Sequence, residues 1–172
     1  MIKIRVAKVE DLALIAKIRI DNWRITYKGL LPQSFLDDLD YEKETQSWLT
    51  FSQAERHHVF VAIDENESIM GFVGIRPFDS EMTIGEIHAL HTSEEFRGKG
   101  AGKALIYHSA KLFKSQNIKE MRLWVIVGND NATAIYEHLG AETYIERVDI
   151  INSTDVPEIG MKWNDLNVIL NK

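Results

Sequence analysis

Hydrophobic and polar positions change period several times along these 172 residues, and each change marks an element. Residues 2–6, Ile-Lys-Ile-Arg-Val, alternate as a strand with one wet face does. From Glu10 the period lengthens. Glu10 and Asp11 are acids suited to a first helical turn, and Leu14, Ile15, Ile18 and Ile25 follow on one predicted face of a helix running to about residue 27. Lys28-Gly29-Leu30-Leu31-Pro32 breaks it, and Pro32 is suited to open a short helical piece to residue 39, with a further helix over 41–51. Stretches 57–63 and 69–76 are β-rich on either side of a polar turn at 64–67. A third strand, 84–91, alternates weakly. Regular alternation would put Ile84, Glu86, His88 and Leu90 on one face and Gly85, Ile87, Ala89 and His91 on the other. Helical spacing returns through Ala101, Ala104, Leu105, Leu112 and Phe113 until Asn117 offers a stop. Residues 121–127 are apolar on both faces, the mark of a central strand covered by helices. Strand, helix and strand in that order imply a right-handed parallel pair. A short helix then ends at Gly140. Strands over about 141–151 and 158–163, with a turn at 152–155, form a terminal hairpin.

This length suits one domain over 1–172, with no repeat or low-complexity linker. A net charge of −6 argues against nucleic acid as a partner and leaves room for a cationic one. The absence of cysteine excludes disulfides, thiolate metal sites and an acyl-cysteine intermediate, so any acyl transfer is direct or uses another nucleophile. No apolar run approaches the roughly 18 residues of a membrane span, which predicts a cytoplasmic protein without a membrane partner. The acidic run Asp37, Asp38, Asp40, Glu42 and Glu44 reads as solvated helix ends. Trp23 and Tyr27, four apart, read as core aromatics that could also line a substrate pocket. Regular strands would send His88 and His91, and likewise His57 and His58, to opposite faces, so no metal site is expected.

Chemistry concentrates between residues 84 and 105, where the third strand runs through a polar turn and three alternate glycines, Gly98, Gly100 and Gly102, into a helix. Without Cβ atoms the chain can curl its N–H groups towards a ligand, and the helix start adds free donors and the positive end of the macrodipole. Such a junction suits a phosphate. It is not a Walker A loop, because Arg97 and Ala104 stand where a glycine and a hydroxyl are needed; nor is it a dinucleotide fingerprint, because Lys103 stands at the third glycine.

Arg97-Gly98-Lys99-Gly100-Ala101-Gly102 resembles the R/Q-x-x-G-x-G/A pyrophosphate loop of the GNAT acetyltransferases. A second motif agrees: Asn129, Ala132, Tyr136 and Gly140 match the family's N-x-x-A-x-x-x-Y-x-x-x-G signature. Glu86 lies eleven residues before Arg97, the spacing of the general base in the histone-type members. The chain departs from the family at His91-Thr92, often Tyr-Val, and at Ala141, often Phe.

The resemblance implies a mixed α/β fold: a mostly antiparallel sheet of about six to seven strands with one splayed parallel pair, flanked by about four helices. It implies acetyl-CoA as cosubstrate, with Leu90, His91, Thr92, Arg97, Gly98, Lys99, Gly100, Ala101, Gly102, Lys103, Asn129, Ala132 and Tyr136 as its binding residues. Glu86 matches the general base and Tyr136 the general acid; Trp23, Tyr27 and His88 are candidates for the acceptor, with His88 able to relay a proton. The expected acceptor is the primary amine of a small molecule such as a polyamine. A protein N-terminus or lysine is the alternative acceptor, and a non-catalytic acyl-CoA-binding module the alternative function. A homodimer is among the assemblies allowed.

Overall fold

The structure, a computed structural model, describes residues 1–172. The chain runs β1 (Lys3–Val6), α1 (Leu12–Thr26), α2 (Gln33–Asp37), α3 (Tyr41–Gln53), β2 (His58–Ile63), β3 (Ile69–Pro77), β4 (Ile84–Thr92), α4 (Ala101–Ser115), β5 (Glu120–Ile126), α5 (Asp130–His138), β6 (Glu142–Ile151), β7 (Thr154–Trp163) and α6 (Asn167–Leu170). The seven strands form one sheet in the order β1-β2-β3-β4-β5-β7-β6, and only β4 and β5 run parallel. Helix α4 is the crossover between them.

Helices cover both faces. Leu105, Ile106 and Phe113 of α4 pack with Leu139, Leu166 and Ile169 against Val73, Ile75, Ile87, Leu123 and Met161. On the other face Leu12, Ile15 and Ile18 of α1 and Trp48 of α3 meet Val59, Val61, Phe72 and Ala89. A smaller cluster of Trp23, Tyr27, Leu31, Phe35 and Leu36 ties α1 and α2 to Ile126 and Val156 at the ends of β5 and β7.

Three expectations change. The buried side of α1 carries Leu12, Ile15, Ala16, Ile18, Ile20, Asn22 and Trp23, whereas Leu14 and Ile25 are exposed. The sheet chose among overlapping apolar stripes, and the chosen one includes a polar residue. The helices number six: α2, the short piece expected after Pro32, is only five residues long, and α6, not expected, has four residues, too few for a periodic signal. The hairpin turn is just Asn152-Ser153, both at positive φ (48° and 61°), so β7 starts at Thr154, four residues earlier than the polar Thr154 and Asp155 suggest.

The correction that matters for function is in β4. Gly74 pairs with Ala89 and Ile75 with Ile87, so His88 is an extra residue with no partner on β3, a β-bulge. Alternation is reset there. Ile87 lies in the α4 core and Ala89 in the α1 core, and Leu90 packs on the α4 side. His91 therefore shares the face of Glu86 and His88, and Leu90 does not, the reverse of regular alternation.

Candidate active site

β4 and β5 are paired only from Ile84 and Glu120 to Ile87 and Leu123. Beyond that point they diverge, and Ala89, Leu90 and Thr92 on one side and Trp124, Val125 and Ile126 on the other line a cleft of about 950 Å³. The divergence leaves strand edges open to an extended ligand, which can pair with them as an added strand would.

One end of the cleft lies under the start of α4. Gly98 and Gly100 have φ of +74° and +90°, a region that costs other residues about 1–2 kcal/mol. The N–H groups of Gly100, Ala101, Gly102 and Lys103 have no acceptor in the chain. Together with Arg97 and Lys103, which line the cleft, they fit a pyrophosphate. Two expected contributors differ: the Lys99 ammonium lies over the Phe96 ring, 4.9 Å from its centroid, and the Ala101 side chain is buried in the core, leaving only its N–H for a ligand. Neither lines the cleft.

Asn22 organises this end. Its Nδ2 donates to the Thr92 carbonyl at 2.9 Å, and its Oδ1 accepts from Arg97 Nη2 at 2.9 Å. One buried amide thus joins α1, the end of β4 and the glycine loop. The sequence offered a signal, since Asn22 lies four after Ile18 in an apolar stripe, where a polar side chain requires a partner.

The other end faces α1 and α3. Glu86 is buried and ion-paired to Nε of Arg76, its register partner on β3. His88 opens into the cleft, its ring stacked on Phe51 at 4.8 Å. His91 faces Phe72 at 5.5 Å. Both imidazoles are pushed down to about 3, first by desolvation and then by nearby arginines, Arg76 and Arg19 for His88 and Arg19 and Arg97 for His91. Both are neutral at pH 7. Trp23 and Tyr27 serve in the core and also line the cleft.

A second carboxylate lies across β5. Glu158 on β7 is buried and accepts from Arg147 Nε at 2.8 Å, while the Arg147 guanidinium lies 3.6 Å from the Trp124 ring centroid. Burial raises Glu158 above the usual carboxylate range, opposed by Arg147 and aided by the charge of Glu86. Arg76, Trp124, Arg147 and Glu158 were not singled out from the sequence. Strand register brings them together from four strands, β3, β5, β6 and β7, and only counting back along the β3–β4 hairpin from Glu86 could have reached Arg76.

Tyr136, on α5, also lines the cleft, with its ring edge-on to Trp163 at 6.0 Å. Burial raises its hydroxyl well above the usual tyrosine value, with the nearby Tyr27 adding to it. Asn129 caps α5 by accepting from Ala132 N–H at 3.3 Å, and its Nδ2 donates to the Tyr27 hydroxyl at 3.3 Å. The signature Asn therefore fixes both the helix that carries Tyr136 and the tyrosine facing it. No group of three or more His, Asp or Glu side chains is placed to hold a metal, and no helix is long and apolar enough to cross a membrane.

Residues 18–141 match the sequence model of the acetyltransferase (GNAT) family, a span holding the glycine loop, Glu86, Asn129 and Tyr136. The chain belongs to the GNAT family. It is an acetyl-CoA-dependent N-acetyltransferase, and the donors at the start of α4 and the open strand edges suit that cosubstrate. An uncharacterized N-acetyltransferase of Bacillus subtilis, YuaI, is 33% identical over 171 residues, 98% of this chain and 96% of that one. A spermidine N(1)-acetyltransferase of Thermoplasma acidophilum is 24% identical over 139 residues, covering 78% and 84% of the two chains. The crystal structure of the PaiA N-acetyltransferase from Thermoplasma acidophilum in complex with coenzyme A superimposes with a TM-score of 0.73 over 94% of this chain and 98% of that chain, at 23% identity. The GNAT fold expected from the motifs, with its splayed parallel pair, is the fold observed.

Proposed function

We propose that this GNAT enzyme acetylates the primary amine of a small molecule by direct transfer within a ternary complex. The observation that carries the reading is that Glu86 and Tyr136 line one cleft together with the glycine loop and Arg97 and Lys103. The similarity to a spermidine acetyltransferase supports an amine acceptor.

Acetyl-CoA supplies the activated acetyl group, and CoA departs as the thiolate, taking the electron pair of the broken C–S bond. An alkylamine has a pKa near 10, so roughly one molecule in a thousand is nucleophilic at neutral pH. Glu86, fixed by Arg76, accepts the proton that the amine must lose as its N–C bond to the acetyl group forms. His88 is the weaker candidate base, because Arg76 and Arg19 lie near it and oppose its taking a proton. It serves instead as a neutral polar wall for the acceptor. An unpaired N–H on the open edge of β4 polarises the acetyl carbonyl, and Tyr136 donates its proton to the departing thiolate.

The test is acetyl-CoA thiol release in the presence of amines. Glu86→Gln keeps size and hydrogen bonding but loses the basic oxygen, so kcat/KM should fall by about 10²- to 10⁴-fold at neutral pH and recover as free amine accumulates at high pH. His88→Gln should chiefly change the acceptor KM. Loss with alkaline recovery in His88→Gln and not in Glu86→Gln would reverse the two roles.

A further inference from the structure

The acceptor end of the cleft is not acidic. The chain carries a net charge of −6, yet Arg19, Arg76 and Arg147 line this end beside Glu86, Asp149 and Glu158, three charges of each sign. A linear polyamine carries several ammonium groups and no anion, so it is best held by carboxylates without other partners. Here Glu86 and Glu158 already hold guanidinium groups.

The unused hydrogen-bonding capacity belongs to the arginines. Arg76 gives Nε to Glu86, while its two terminal nitrogens have no acceptor in the chain; its side chain is 37% exposed against 5% for that of Glu86. Arg19 gives Nη1 to Glu44 at 2.7 Å and keeps a buried Nε with no acceptor. A guanidinium carries five N–H donors in a planar fork that matches a carboxylate. The Arg76–Glu86 pair thus presents a cation with a free edge beside a carboxylate, both on one wall.

Resting on acetyl transfer to an amine at Glu86, we propose that the acceptor is a zwitterion of the amino-acid type. Its amino group meets Glu86, and its own carboxylate is held by the free edge of Arg76, with Arg19 as a second cation on the α1 wall. Each end of such a molecule faces an opposite charge, and neither protein charge is left unpaired, which is the costly outcome in a buried site. Trp23 and Trp124 offer apolar walls to the remainder of the molecule.

The experiment measures thiol release from acetyl-CoA with neutral α-amino acids, with the matching amino-acid amides, and with spermidine. A charge-assisted hydrogen bond contributes about 1.5–3 kcal/mol, so kcat/KM for an acid should exceed that for its amide by about 10-fold or more. R76Q should collapse that ratio towards one, and R76K, which keeps the charge without the fork, should restore part of it. A purely structural Arg76 would slow acids and amides alike and leave the ratio intact. Equal rates for acids and amides, a preference for spermidine, or an unchanged ratio in R76Q would overturn the proposal while leaving amine acetylation in place. No thiol release with any amine would remove both.

Discussion

Replacing Gly100 by alanine tests whether backbone shape holds the cosubstrate. Gly100 sits at φ +90° as the residue that opens α4, and the nearest atom to an added Cβ would be Ile2 Cδ1 at 3.7 Å, an ordinary contact. The perturbation is therefore torsional and not steric. Holding alanine in this region costs about 1–2 kcal/mol. For a chain of this size that lowers Tm by about 2–8 °C if the loop keeps its shape. If the loop relaxes, the strain is relieved and the N–H fan of Gly100 to Lys103 turns away from the phosphates. Each lost charge-assisted hydrogen bond then weakens binding by about 1.5–3 kcal/mol, or roughly 10- to 150-fold. Titration calorimetry with acetyl-CoA, paired with thermal melts, separates the two responses. Gly102→Ala is the control: its φ is not positive, and its Cβ would meet Thr92 Oγ1 at 3.5 Å, so the fold should be unaffected. An alanine at 100 that leaves both Kd and Tm unchanged would refute the argument. A lowered Tm with unchanged Kd would show that the loop keeps its shape and carries the strain.

Two further outcomes follow from the site. Tyr136→Phe should lower kcat by about 10- to 10³-fold with the acetyl-CoA Kd preserved, and because burial raises the Tyr136 hydroxyl, its proton-donating form should persist so that the wild-type rate shows no alkaline loss from this group below pH 10; wild-type kcat in the variant, with chemistry rate-limiting, would exclude Tyr136 as the acid. His91 takes a proton near pH 6.5 when unfolded but only at about 3 when folded, so the unfolded state binds more protons in between and stability falls as pH falls through that window. Melts of His91→Asn from pH 7.5 to 5 should show a shallower decline than wild type, with the other desolvated histidines supplying the remainder; identical slopes would show that His91 is not a source of the acid lability.

Much was legible in the sequence because the relevant physics is local. The glycine loop, the Asn129 cap and the position of Tyr136 depend on torsional freedom and hydrogen bonds within a few residues, and short motifs encode those. The central strand β5 and crossover α4 were legible because covered strands and amphipathic helices impose distinct periods. What only tertiary structure decided depends on register. The bulge at His88 is a mismatch between two strands and leaves no mark on the spacing within β4, yet it brings His91 to the face of Glu86 and sends Leu90 away. The Arg76–Glu86 and Arg147–Glu158 pairs join residues from different strands, and their charges could be placed only after the sheet order was known. The acidity of the whole chain and the balanced charge at the acceptor end of its cleft differ for the same reason: composition counts every charge equally, whereas a ligand meets only those that the fold gathers around it.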